Sequence, residues 1–119
     1  MNSRTGWWAA GVAVLGWVAA SPAHAANPAV HPVTVERESF AFAPQELSIK
    51  VGDRVKWTNR DGQMHMVVTA KPGSEGRELE IYARMNPDEN IEHQFDTASV
   101  YHYYCAIHFE MWGIISVNP

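Results

Sequence analysis

From Val33 onward, apolar and polar residues alternate one by one, in short runs cut by turn residues. Val33 and Val35 alternate with Thr34 and Glu36. Leu47, Ile49 and Val51 alternate with Ser48 and Lys50, and Val55, Trp57 and Asn59 with Arg54, Lys56 and Thr58. Gly52-Asp53 separates the second and third runs, and Arg60-Asp61-Gly62 ends the third. A period of two puts every other side chain on one face, so each run predicts a strand with one side in a core. A fourth strand is expected over His65–Ala70. Residues 71–90 are less regular, with Pro72, Gly73, Gly76 and Pro87 around a short strand at 79–83. Alternation returns at Ile91, His93 and Phe95, and further strands are expected at 100–104 and 113–117. No apolar stripe of helical period and useful length occurs, and the charged stretch 88–96 carries none. Seven to eight short strands with turn signals between them predict an all-β fold, a Greek-key β-sandwich.

The first residues follow a different pattern. Arg4 is the only charge before an apolar stretch at 7–20 (WWAAGVAVLGWVAA), which Ser21-Pro22 breaks. Ala23-His24-Ala25 then supplies the small-x-small site of a signal peptidase. Residues 1–25 read as a cleaved secretory signal peptide. The apolar run is shorter than the roughly 20 residues a spanning helix needs. With no second such run, no membrane insertion is expected after cleavage. Residues 26–32 (ANPAVHP) read as a flexible lead-in, and 33–119 as one domain.

Composition narrows the function. The 119 residues are 46% hydrophobic and 18% charged, an ordinary balance for one globular domain. The net charge of −4, with no Lys/Arg run, argues against nucleic acid and against an anionic membrane surface. The one cysteine, Cys105, rules out an internal disulfide and every zinc or iron–sulfur pattern that needs two thiolates. A free thiol in an oxidising compartment is open to oxidation unless it is buried or bound to metal.

Cys105 opens the densest chemical signal in the chain. In Cys105-Ala106-Ile107-His108-Phe109-Glu110-Met111, a thiol, an imidazole and a thioether follow one another at three-residue spacing, on a loop between two expected strands. His65, at the start of another strand, offers a fourth donor. Sulfur donors with two imidazoles select copper, with His65, His108 and Cys105 as the plane of a blue-copper site and Met111 as the weak axial ligand. Each residue has a plainer reading alone: Cys105 as a small buried hydrophobe, Met111 as core beside Trp112, His65 as an interior histidine. Together, on an exported chain with one thiol, the metal reading prevails. A Cys105–His108 nucleophile–base pair is a poor alternative, because no oxyanion hole or third orienting residue is identifiable.

These residues bring a resemblance with them. Phe42-Ala43-Pro44, then Ile49 through Asp61 (IKVGDRVKWTNRD), resemble the F-x-P…V-x-x-G-D-x-V-x-W-x-N-x-D pattern of the small cupredoxins, of the plastocyanin, pseudoazurin and amicyanin kind. His65 follows where their first histidine ligand falls. Tyr101-His102-Tyr103-Tyr104-Cys105 is similar to their Y-x-Y-x-C strand, and Gly113 follows Met111 by two. The loop spacing resembles amicyanin more than plastocyanin, whose loop is longer. The resemblance covers most of 33–117. It implies one copper per chain, bound by imidazole nitrogens of His65 and His108, the Cys105 thiolate and, axially, Met111. It also implies that the Met64 carbonyl lies near the metal. The edge of His108, flanked by Ile107 and Phe109, would reach the surface through an apolar patch where the electron leaves. Relatives usually carry Asn directly after the first histidine, tying down the cysteine loop; here Met66 stands there.

The expectation is therefore a periplasmic electron-transfer protein with a type 1 copper cycling between Cu(II) and Cu(I). No substrate is transformed, so it is not read as an enzyme, and the second bridging cysteine of a two-copper centre is absent. Its partners would be redox proteins such as a c-type cytochrome or a dehydrogenase, met as a monomer. The sulfur-rich Met64-His65-Met66 suggests the alternative of a periplasmic copper carrier or chaperone. Met64 and Met66 otherwise read as packing residues, and His31, His93 and His102 as surface histidines. Glu75, Glu78 and Glu80 read as a solvated acidic face that could steer a basic partner.

Overall fold

The computed structural model describes residues 27–119 and, before them, Gly16 alone. The expected signal peptide otherwise lies outside the described residues. Among these, no helix is long and apolar enough to cross a membrane. Eight strands follow in order: β1 Val30–Val35, β2 Glu46–Lys50, β3 Arg54–Asn59, β4 His65–Ala70, β5 Leu79–Met85, β6 Asn90–Gln94, β7 Ser99–Tyr104 and β8 Trp112–Asn118. They form two sheets, one of order β1-β3-β6 and one of order β2-β8-β7-β4-β5. The all-β sandwich read from the alternation is the observed architecture.

The inward set of each strand is the one its pattern marks. Val33 and Val35, then Val55, Trp57 and Asn59, face inward from the smaller sheet; Val67, Ile81, Tyr101, Tyr103, Ile115 and Val117 are buried in the larger one. His102 faces out between two buried tyrosines, as a period of two requires. β4 departs from alternation, since Met66 and Val68 are buried along with its inward residues. It lies between β7 and β5, so Met66 and Val68 are flanked on their own face by the paired residues Arg84, Tyr82 and Tyr104.

Two pairings are parallel, β1 with β3 and β2 with β8. The first of these corrects the expected lead-in. Val30, His31 and Pro32 are not loose but paired with Arg54, Val55 and Lys56. Pro32 is accommodated because β1 is an edge strand, which tolerates a missing N–H. Asp53 secures this edge: its carboxylate accepts hydrogen bonds from the amides of Ala29 (3.2 Å) and Lys50 (3.1 Å), and lies 2.9 Å from His31 Nε2. The His31 contact, with the two backbone donors, holds the Asp53 carboxyl below the usual range against the opposing effect of burial. Strand ends differ from expectation elsewhere by one or two residues, with β5 running on to Met85.

β7 and β8 form the antiparallel pair that carries the 105–111 loop, with Tyr104 opposite Trp112 and Tyr103 opposite Gly113. The glycine has a steric reason. A Cβ at 113 would stand 2.3 Å from Cζ of Tyr103, whose phenol lies across that position. The ring is fixed on its other sides by Trp57 (centroids 5.5 Å apart) and Phe42 (4.8 Å). Burial pushes the Tyr103 phenol up to about 12.

Candidate metal centre

His65 opens β4 and is fully buried, and the turn before it is built to hold its ring. Asn59, the last inward residue of β3, is also fully buried and uses its whole amide locally. Its Nδ2 donates to the carbonyls of Gln63 (2.8 Å) and Met85 (2.9 Å), and its Oδ1 accepts from the amide of Asp61 (2.9 Å). Asp61 is thereby pointed into the turn. Its Oδ1 accepts from the amides of Gly62 (2.8 Å) and Glu38 (3.1 Å), and its Oδ2 lies 2.7 Å from His65 Nε2. The His65 contact first, then these amides, hold the Asp61 carboxyl below its usual range against the cost of burial.

An ionised carboxylate only accepts hydrogen bonds, so Nε2 of His65 carries the proton and donates. In the neutral ring Nδ1 is then a bare lone pair. That atom is buried and, among the described residues, has no hydrogen-bond partner. A histidine anchored through one nitrogen by a carboxylate, with the other left open, is the arrangement of a metal ligand. The plainer reading, a satisfied core histidine, fails at this atom.

The 105–111 loop brings the other candidates. The Cys105 amide donates to the Met111 carbonyl (3.0 Å), and the Met111 amide to the carbonyl of His108 (2.9 Å), so both ends of the loop are pinned. Cys105 and Met111 are fully buried. The sulfur of Cys105 accepts from the backbone amide of Met66 at 3.3 Å, which sets the thiol beside the residue following His65. The rings of His65 and His108 lie 5.2 Å apart. His108 is half-buried, between Ile107 (40% exposed) and Phe109 (78% exposed). Among the described residues, no three His, Cys, Asp or Glu side chains form a ready metal cluster. Convergence of all four donors on one ion is therefore part of the proposal below. The chemistry of the set fits a soft metal: an open imidazole nitrogen, a buried thiol with an N–H at its sulfur, and a buried thioether.

Comparison with known proteins decides which family this is. The model of the copper-binding proteins of the plastocyanin/azurin family matches residues 29–118. The chain belongs to that family. Copper is accordingly its metal. The chloroplastic plastocyanin of Tetradesmus obliquus is 36% identical over 105 residues, covering 84% of this chain and 70% of that protein. Amicyanin of Paracoccus denitrificans is 31% identical over 98 residues, covering 82% and 74%. Among solved structures, the reduced state of an amicyanin variant superposes with a TM-score of 0.66 at 28% identity, over 75% of this chain and 82% of that one. A purple cupredoxin from Nitrosopumilus maritimus shares the fold, with a TM-score of 0.64 at 24% identity, over 74% and 99%.

Within this cupredoxin frame some residues sit differently from expectation. Met66 stands where the resemblance implies Asn, and the contact to the cysteine sulfur is made by its backbone N–H, which any residue but proline supplies. His102 is at the surface, whereas His31 and His93 are half-buried. His31 meets Asp53, and His93 meets Glu80 at 3.9 Å. Desolvation pushes His93 down, opposed by Glu80 and Asp96. Glu80 therefore leaves the expected acidic face. Glu78 and Glu75 are exposed, opposite Lys71 and Arg77, each pair at 3.7 Å. The sequence alone does not mark Asp61, Asn59 or Phe40 as site residues. The spacing Asn59-x-Asp61-x3-His65 was the available signal, but Asp beside Gly reads first as a turn.

Proposed function

We propose that this protein is a one-electron carrier whose copper is held by Nδ1 of His65, the Cys105 thiolate, an imidazole nitrogen of His108 and, more weakly, the Met111 thioether. The observation that carries the reading is the buried, partnerless Nδ1 of His65, on a ring whose other nitrogen is fixed by Asp61. Bound copper supplies a Cu(II)/Cu(I) couple. The protein's part is to hold the donors still and dry. His65, Cys105 and Met111 are shut off from water, and a fixed shell has little to rearrange when charge changes. Asp61 keeps the His65 proton on Nε2, and the Met66 N–H stabilises negative charge on the Cys105 sulfur. Ile107 and Phe109 give the half-buried His108 an apolar surround, suited to brief contact with a redox partner such as a c-type cytochrome or a dehydrogenase. No substrate is transformed. With export by the N-terminal signal, the place of action is the periplasm.

The test is optical. Mature protein given Cu(II) is expected to develop one intense thiolate-to-copper absorption per chain, which Cys105→Ser abolishes. A wild type that binds Cu(II) without that band would contradict the reading.

One observation favours a second reading, a copper carrier. Met64 and Met66, on either side of His65 in sequence, line one surface cleft with Ile107, Tyr82 and Arg84. Thioethers there could pass Cu(I) inward, although the Arg84 cation in the same cleft opposes a metal ion. Replacing Met64 and Met66 together by Ala separates the two: a carrier loses Cu(I) affinity, whereas an electron carrier keeps its copper and its band.

A further inference from the structure

The loop joining β1 to β2 contains two non-glycine residues with left-handed backbone, Glu38 (φ 60°) and Phe40 (φ 47°). That region is disfavoured for any residue with a Cβ, and for a bulky aromatic one it is an outlier that asks for a reason. Both residues reach the metal centre. The Glu38 amide donates to Asp61, which holds His65. The half-buried ring of Phe40 stands edge-on to both imidazoles, 5.1 Å from His108 at 68° and 6.1 Å from His65 at 77°.

The two histidines are held unequally. His65 has a carboxylate on Nε2. Among the described residues, no hydrogen bond reaches a ring nitrogen of His108, whose aromatic neighbours are Phe40 and His65. A half-exposed imidazole on a loop would otherwise be free to turn about its side-chain bonds. Edge-to-face aromatic contact restricts such rotation and has a preferred geometry.

We propose that Phe40 is a positioning residue for His108: the left-handed loop presses its ring against both imidazoles, so that aromatic packing does for His108 what Asp61 does for His65. The proposal rests on the copper reading only for the purpose of the orientation. The ring contact itself belongs to the metal-free protein.

The experiment is therefore run in both states of the mature protein. In the metal-free state, NMR of wild type should show cross-relaxation from the Phe40 ring to both imidazoles and one set of sharp His108 ring signals. In Phe40→Leu, which keeps much of the volume but not the aromatic edge, the His108 signals should move toward free imidazole and average. Those of His65, still on Asp61, should stay. In the Cu(I)-loaded state, Phe40→Leu should release copper to a chelator at least about tenfold faster. Phe40→Tyr, which restores the edge, should return the rate to within about twofold of wild type. Unchanged His108 signals in Phe40→Leu, or copper loss no faster than wild type in a folded variant, would overturn the proposal. A wild type that takes no copper, with His108 responding as described, would uphold the positioning and overturn the copper reading. Should Phe40→Leu fail to fold, Phe40→Met is read in the same way.

Discussion

Asp61 Oδ2 lies 2.7 Å from His65 Nε2, and among the described residues no hydrogen-bond partner reaches the opposite ring nitrogen. The centre is built around this asymmetry. A buried polar atom left without a partner costs free energy, and a metal bound at Nδ1 would remove that cost.

Asp61→Asn tests how much of the affinity comes from that carboxylate. The amide can still accept a hydrogen bond, but it no longer fixes the tautomer by charge. Copper affinity is expected to fall by about 10- to 100-fold, measured by chelator competition. Unchanged affinity would mean that Nε2 needs no anchor.

Met66 makes a contrasting prediction, because its contact to the Cys105 sulfur runs through the backbone. Met66→Ala keeps that N–H and should keep the thiolate-to-copper band. It should cost stability near the low end of about 2–5 kcal/mol, since the side chain is buried but borders a surface cleft. The visible spectrum and a urea titration read the two effects separately.

Gly113→Ala should be destabilising by about 1–3 kcal/mol or more. The added methyl would meet Cζ, Cε1 and the hydroxyl of Tyr103, all within 2.5 Å, and that ring is wedged between Trp57 and Phe42. Tyr103 is two residues from Cys105, so the copper band should shift as well as the urea midpoint.

Asp53 predicts a pH dependence away from the centre. Its carboxyl is held below 3.8 in the folded chain, so the unfolded state binds the proton more readily. The stability it contributes is present above 3.8 and is lost as pH falls through the lower, folded value. Asp53→Asn should therefore lower stability by about 1–3 kcal/mol near neutral pH, with the difference shrinking below 3.8. Denaturation curves of both proteins across acidic pH check this.

Much of this was legible in the sequence, for stated reasons. Period-two alternation marked β3 at its observed bounds, because its inward residues Val55 and Trp57 are strongly apolar, and the turn Arg60-Asp61-Gly62 marked where β4 follows. The parallel pairing of β1 with β3 was not legible, since alternation fixes a strand's faces and not its neighbours. That gap is also why 30–32 looked loose: Pro32 and the short polar context hide an edge strand whose hold is Asp53, distant in sequence. At the site, the donor types and the C-x2-H-x2-M spacing named the metal. The support of the donors was hidden, because Asp61 presents itself as a turn residue and Phe40 acts through a left-handed backbone that no local pattern announces.

The most direct test is a crystal structure of the copper-loaded mature protein. The account predicts the metal on Nδ1 of His65 with Nε2 still against Asp61, and with the sulfur of Cys105 in the same coordination shell. Copper bound instead between Met64 and Met66, or to a His65 ring turned away from Asp61, would contradict it.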